Sequence, residues 1–364
     1  MSMISTENNL SAKTDDSSWQ SLMRHSVCRP EELAELTAGE VAELQAVIQA
    51  YPMRINSYFL ELIRKSGASI ARQVVPDPRE LEDELGLEDP LAEEANSPVP
   101  NITHRYPDRV LFTVCHECAI YCRFCTRKRK TGKWPAISQA DLELGIDYIR
   151  RTPAVRDVLL SGGDPLLLSD HRLDWLLSQL RGINHVDIIR IGSRVPCALP
   201  QRITGDLIPV LRKGAPLYLN LHFNHPDEIT DEVKQACNKL ADAGLVLGSQ
   251  TVLLRGINDS PDVIDALMRA LLKIRVKPYY LMQGDLTRGT DHFRTPIQQG
   301  LDILKALRGR VSGMAIPTLV LDLPGGGGKV PLCPDYILSR DETGTVLFNY
   351  QGREIRYPEP KGNS

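Results

Sequence analysis

The chain has 364 residues, 24% of them charged, with a formal net charge of −3 and a pI near 6.3. That balance excludes a basic field for nucleic acid, and no apolar run approaches the ~20 residues needed to cross a bilayer. Eight cysteines, with no N-terminal apolar h-region or cleavage pattern, point to a reducing cytoplasm and to a large α/β domain with appendages.

Residues 1–18, rich in Ser, Thr, Asn and Asp, read as a disordered tail. From 19 to 63 apolar residues recur at helical spacing, among them Leu33, Leu36, Val41, Leu44, Val47 and Ile48. The acidic, proline-punctuated stretch 76–100 reads as a connector, so 19–100 forms an N-terminal helical region. Beyond it, β-branched runs at 110–114, 158–160, 186–191, 217–223, 245–254 and 276–282 alternate with helical stretches at 142–151, 173–180, 203–212, 232–243 and 266–273. Six such units predict an α/β fold, a partial (β/α)6 TIM-like barrel over 101–310, short of the eight that close a full barrel. Residues 311–364 follow as a C-terminal segment.

On that pattern the polar motifs collect at one rim, where such barrels hold their chemistry. Cys118 follows the first strand, Ser161-Gly162-Gly163-Asp164 the second, Ser193-Arg194 the third, His222 the fourth and Asp285 the sixth. The spacing of Cys118, Cys122 and Cys125 lets one loop wrap one iron–sulfur cluster. A four-iron cluster normally takes four thiolates, so three leave one iron open as a chemical site. Zinc on these three plus Cys115 is the alternative, although zinc modules usually pair two short clusters across a longer gap and no second cluster follows. Near the C-terminus, four consecutive glycines (Gly325 to Gly328) precede Lys329. Such a run suits close backbone approach to a ligand, or a flexible surface turn with a solvated lysine. It is not a P-loop, because Val330 stands where Ser or Thr should bind Mg²⁺. The other functional reading is a lysine for pyridoxal phosphate (PLP), with Arg105 and Arg109 as cations for its phosphate.

The cysteine spacing, with aromatic Phe124 before the last Cys, resembles the radical S-adenosylmethionine (SAM) enzymes. Taken in order, the motifs at 105–110, 118–127, 161–164, 190–194, 222–226, 253–256 and 324–329 resemble the lysine 2,3-aminomutase family across nearly the whole chain. The resemblance implies a 4Fe-4S cluster on Cys118, Cys122 and Cys125, SAM, and PLP carried on Lys329. It assigns the PLP phosphate to Arg105, Tyr106 and Arg109, and SAM contacts to Phe124, Gly162, Gly163, Ser193, His222 and Gln250. Arg127 would bind the substrate carboxylate, and Asp285 with Asp322 the ε-ammonium of L-lysine. A buried ammonium is tolerable only when paired, which two carboxylates achieve.

The implied activity is an isomerisation moving the 2-amino group of L-lysine to C3, giving β-lysine, through a 5′-deoxyadenosyl radical and a PLP external aldimine. The family resemblance also implies a flavodoxin- or ferredoxin-like reductant and a homo-oligomer, with no nucleic acid or membrane partner. Clostridial members end in a Cys-rich tail that helps bind zinc; that tail is missing here and Ser260 stands at the internal ligand position, so no structural zinc is expected. Phe124 replaces a family His, while Cys115 reads as strand-end packing and Cys28, Cys197, Cys237 and Cys333 as core or incidental. Alternatives are the same chemistry on arginine or on lysine destined for elongation factor P, a SAM enzyme without PLP, and a non-catalytic zinc module.

Overall fold

A computed structural model describes residues 18–33 and 37–360. The expected tail lies, apart from Ser18, outside the described residues, and so does Leu36. Nine strands pair in sequence order: β1 (Ile102–Tyr106), β2 (Arg109–Cys115), β3 (Asp157–Gly162), β4 (Ile188–Ser193), β5 (Leu217–His222), β6 (Val246–Val252), β7 (Lys277–Met282), β8 (Thr318–Leu323) and β9 (Gly328–Leu332). Strands β2 to β8 run parallel, while β1 and β9 are antiparallel at the two edges. A separate antiparallel sheet holds β10 (Ile337–Asp341), β11 (Gly344–Phe348) and β12 (Glu354–Tyr357).

Side chains alternate across each strand, and the sequence uses that period to build two surfaces. Val158, Leu160, Ile189, Ile191, Leu219 and Leu221 are fully buried in the apolar core. Their neighbours Ser161, Arg190, Gly192, Asn220, His222 and Gln250 line the inner face. The crossover helices carry matching stripes, such as Leu173, Leu176, Leu177 and Leu180 on the helix Asp170–Arg181. Ser138, Ser169, Thr230 and Ser260 cap four of these helices through their hydroxyls; each such cap contributes about 1 kcal/mol. Ser260, the residue at the expected zinc-ligand position, thus has a local structural task.

All six expected strands are present at the centre of the sheet, and three more extend it. Two of the added strands lack a readable signal, β1 being Ile-Thr-His-Arg-Tyr and β9 Gly-Lys-Val-Pro-Leu, whereas β8, Thr-Leu-Val-Leu-Asp-Leu, carries an apolar run that the six-unit reading does not include. Pro331 is tolerated in β9 because an edge strand can spare one donor. The expected helix at 203–212 begins only at Leu207, after a short 3₁₀ turn at Pro200–Arg202. No helix among the described residues is long and apolar enough to cross a membrane.

The N-terminal helices brace the loop that follows β2. Val27 bridges to Ile55, and Ile55 to Ile120 within that loop. Asn56 is fully buried and caps the helix Ser57–Ser66 at Phe59 N, while its Nδ2 donates to Ala119 O (3.1 Å) and Ala198 O (2.9 Å). One side chain therefore satisfies a helix end and two buried carbonyls. Asn56→Ala is expected to cost about 2–4 kcal/mol, a lost cap plus unpaired buried acceptors, read as a lowered midpoint in chemical denaturation.

Candidate active site

A cavity of about 540 Å³ opens at the C-terminal rim of the parallel strands. Every cluster, cofactor and substrate residue implied by the resemblance lies on its wall: Cys118, Cys122, Phe124, Cys125 and Arg127 from the loop after β2, Gly162 and Gly163 at the end of β3, Ser193 on β4, His222 on β5 and Gln250 on β6. Asp285 enters after β7, Asp322 from β8, Lys329 from β9, and Arg105, Tyr106 and Arg109 from the edge at β1 and β2. Cys115, the fourth cysteine of the zinc alternative, is buried outside this wall, its Sγ against Glu117 O at 3.8 Å.

The three thiols sit in a loop with no regular secondary structure, so its shape depends on contacts from outside. Gly163 N donates to Cys115 O (2.8 Å) and Asp164 N to Glu117 O (2.7 Å). The approach is so close that a Cβ at Gly163 would meet Glu117 O at 2.2 Å, and one at Gly162, with φ +124°, would meet Cys115 O at 2.2 Å. Both glycines are required by this backbone contact. Asp164 accepts from Ser193 Oγ (2.7 Å) and from the backbone of Leu166, Arg194 and Val195, and burial raises its carboxyl to about 6. Ser193 therefore spends its hydroxyl on the loop beneath the thiols.

Donors also face the sulfurs. Arg194 Nη1 lies 2.7 Å from Cys122 Sγ, and Arg127 N 3.4 Å from Cys125 Sγ. Burial, reinforced by Cys125 and Asp164, pushes the Cys118 thiol well up. Burial also raises Cys122, against the pull of Arg194. His222 lies beside Phe124, ring centroids 5.5 Å apart, with Nε2 3.0 Å from Asn224 Oδ1. Burial and the Arg194 charge lower His222 to about 3, so it is a neutral imidazole here. Its register partner across the β5–β6 ladder is Gln250.

The opposite end is built by register. Asp322 on β8 pairs with Lys329 on β9, and the Lys329 ammonium donates to the Asp322 carboxylate. Asp322 also accepts from Arg105 Nη2 at 3.2 Å, and Lys329 N donates to Tyr106 Oη at 2.9 Å. The guanidinium carbons of Arg105 and Arg109 each lie 5.0 Å from the centre of the Tyr106 ring. Asp285 has no hydrogen-bond or ion-pair partner among the described residues, and burial, then the neighbouring Asp322 charge, raises it to about 7.

Several residues that sequence reasoning missed hold this assembly in place. Glu80, on the 3₁₀ turn Pro78–Leu81, pairs with Arg123 (2.5 Å) and Lys128 (2.7 Å), all three buried. Lys128 Nζ also donates to Gly289 O, and burial lowers it to about 8. Glu228 and Gln73 take the far side of Arg194 at 2.7 and 2.5 Å. Glu93 forms a two-oxygen contact with Arg127. Only Asp77-Pro78-Arg79-Glu80 carried a local signal, an N-cap with Glu three residues on; it marks a turn and says nothing of Arg123.

The donor set fits the implied cofactors: three thiols facing one cavity with N–H groups aimed at two of them, and a lysine ringed by Arg105, Tyr106 and Arg109 across the same space. Comparison with known proteins agrees. Residues 112–267 match the Radical SAM superfamily and 304–364 match Lysine-2,3-aminomutase. L-lysine 2,3-aminomutase of Clostridium subterminale is 47% identical over 353 residues, 95% of this chain and 85% of that one. The enzyme of that name from Methanococcus maripaludis is 50% identical over 326 residues, covering 88% and 75%. Glutamate 2,3-aminomutase of Clostridioides difficile is 46% identical over 324 residues, covering 88% and 77%. With its rim cysteines, its Lys329 pocket and these relatives, the chain belongs to the lysine 2,3-aminomutase family of radical SAM isomerases.

Proposed function

We propose that the protein moves the 2-amino group of L-lysine to C3, giving β-lysine. The observation that carries the choice of substrate is the charge at the two ends of the cavity: Arg127 at one, the free Asp285 carboxylate beside Asp322 at the other. Identity alone does not choose, because the lysine and glutamate relatives are 47% and 46% identical to this chain. A glutamate side chain would bring a third carboxylate against Asp285 and Asp322, and like charges in a desolvated site repel strongly. A lysine ammonium removes that repulsion instead.

The family's cofactors are a 4Fe-4S cluster, SAM and PLP. When bound, the reduced cluster with SAM supplies a carbon radical able to abstract hydrogen, and PLP supplies an electron sink for the migrating amino group. Cys118, Cys122 and Cys125 would hold the cluster, with Arg194 and the Arg127 amide favouring thiolates at two of them. Phe124, His222 and Gln250 line the wall beside these thiols and would receive the adenosyl portion; Gly162, Gly163 and Ser193 shape the loop below it. Lys329 would carry PLP, with Arg105, Tyr106 and Arg109 around its phosphate. Asp285, free of any partner among the described residues, and Asp322 beside it would face the substrate ammonium.

We assign 19–100 to bracing the cysteine loop, 101–310 to the body of the barrel and 311–364 to its last two strands, β8 and β9, which carry Lys329. Reduction of the cluster needs an external electron donor, for which we propose a flavodoxin- or ferredoxin-like protein. Exposed Ile355 and Tyr357 on β12, with Tyr350 in the turn before it, suit a homo-oligomer, and eight unpaired cysteines suit the cytoplasm.

An anaerobic assay with reductant, SAM, PLP and L-lysine should yield β-lysine by mass spectrometry, and Lys329→Ala none. L-glutamate or L-arginine turned over in preference to L-lysine would sink the substrate choice. The elevated Asp285 also sets a pH dependence. A carboxyl raised to about 7 is largely protonated below that pH, whereas the substrate ε-ammonium stays charged to about pH 10. Binding needs the ionised form and therefore strengthens as pH rises through 7. KM for L-lysine should fall about tenfold between pH 6 and 8, and Asp285→Asn should raise KM and flatten that profile.

A further inference from the structure

Arg127 is held from two sides. Its Nε donates to Glu93 Oε1 (2.9 Å) and Oε2 (3.1 Å), and its Nη2 to Oε1 (2.5 Å), so Glu93 occupies the side edge of the guanidinium. Its Nη1 donates to Ser161 Oγ at 3.2 Å on β3. A guanidinium has five N–H groups in a planar fork. Those contacts leave one N–H on each Nη, donors on two nitrogens for a second carboxylate.

We propose that Glu93 is a positioning residue: it fixes Arg127 so that the N–H groups left on its two Nη atoms meet the α-carboxylate of the substrate. The assignment rests on the reading of Arg127 given above and adds the residue that makes its grip directional. Glu93 also offsets the Arg127 charge, so that recognition depends on hydrogen-bond geometry more than on bare attraction.

The backbone around Glu93 argues against a carboxylate that swings aside and leaves its place to the substrate. Glu93 is only 8% exposed. Its carbonyl accepts from Ser97 Oγ (2.7 Å), and Asn96 Nδ2 donates to Ala92 O (2.8 Å). Asp89 accepts from Glu94 N (3.0 Å) and pairs with Arg129 at 3.1 Å. Ala92 is held at φ +50°, a conformation that only a tightly determined turn retains. The same turn reaches the other end of the cavity, where Pro90 O accepts from Gly325 N (2.8 Å) in the glycine run before Lys329. One rigid turn thus sets the carboxylate fork and touches the lysine loop.

The test uses the PLP-loaded protein without SAM or reductant, and reads equilibrium binding from the absorbance change when an amine exchanges with Lys329. Two probes are compared: L-lysine, and 1,5-diaminopentane, which keeps both amino groups and lacks the carboxylate. Glu93→Gln should weaken L-lysine on the order of tenfold and leave diaminopentane within about twofold, and Arg127→Gln should show the same selectivity more strongly. Equal weakening of both probes would reduce Glu93 to a fold residue, and tighter L-lysine binding would make it a displaceable plug; either overturns the inference. No selectivity in Arg127→Gln would fell the carboxylate reading of Arg127, and the inference with it. Should Glu93→Gln fail to fold by circular dichroism, Glu93→Asp, which keeps the charge and shortens the reach by one methylene, carries the comparison under the same criteria.

Discussion

Much of this structure depends on one carboxylate, that of Asp322. In backbone terms the sheet is open, since β1 and β9 are its free edges and never pair. Asp322 spans the gap, holding Lys329 from the β9 edge and Arg105 from the β1 edge. Tyr106 adds a second link through the Lys329 amide. A closed barrel would fill its interior with packed side chains. Closure by side chains keeps that interior available as a cavity while still fixing the distance between its walls. The groups that complete the wall are also the groups that perform chemistry there, so fold closure and site assembly are one event.

A similar economy governs the cysteine loop. Arg123, Arg194 and Arg127 each leave the loop or its neighbouring strand end and terminate on a buried carboxylate: Glu80, Glu228 and Glu93. Desolvating such pairs costs about as much as their attraction returns, so they are weak evidence for stability. Their value is directional. An irregular loop of turns could adopt many shapes, and a guanidinium pinned by a buried carboxylate permits few of them. Three buried pairs, the Asn56 amide and the Gly163 contact together determine where the sulfurs sit.

The fold and most of the site wall could be read in the sequence because both follow short-range rules. Alternating apolar runs marked the six central strands, and barrel logic placed Cys118, Gly162, Ser193, His222 and Asp285 on one rim. Strands β1 and β9 were not visible, since charged, glycine and proline residues there obscure the strand period, whereas the apolar run of β8 lies beyond the sixth unit and was not read as a strand. The deeper miss concerned long-range partners. Glu80 lies 43 residues from Arg123, and Glu93 lies 34 from Arg127; no local pattern connects them. Residue types announced which groups could react, whereas only the three-dimensional packing showed what holds those groups still.

The substrate choice comes down to how charge is balanced in a dry space. Without a ligand, burial first and the neighbouring Asp322 charge second raise Asp285 to about 7, against the pull of Lys329 and Arg105. An incoming ammonium lets Asp285 ionise and completes the pairing, so the site gains most from the ligand that relieves its own imbalance. At the far end Arg127 is already offset by Glu93, and a carboxylate is accepted there because one N–H donor remains on each Nη. The two ends thus discriminate by different means, net charge at one and geometry at the other. A cationic amino acid satisfies both at once. Neutral or acidic ones satisfy at most the geometric end, and a diamine satisfies only the charged end.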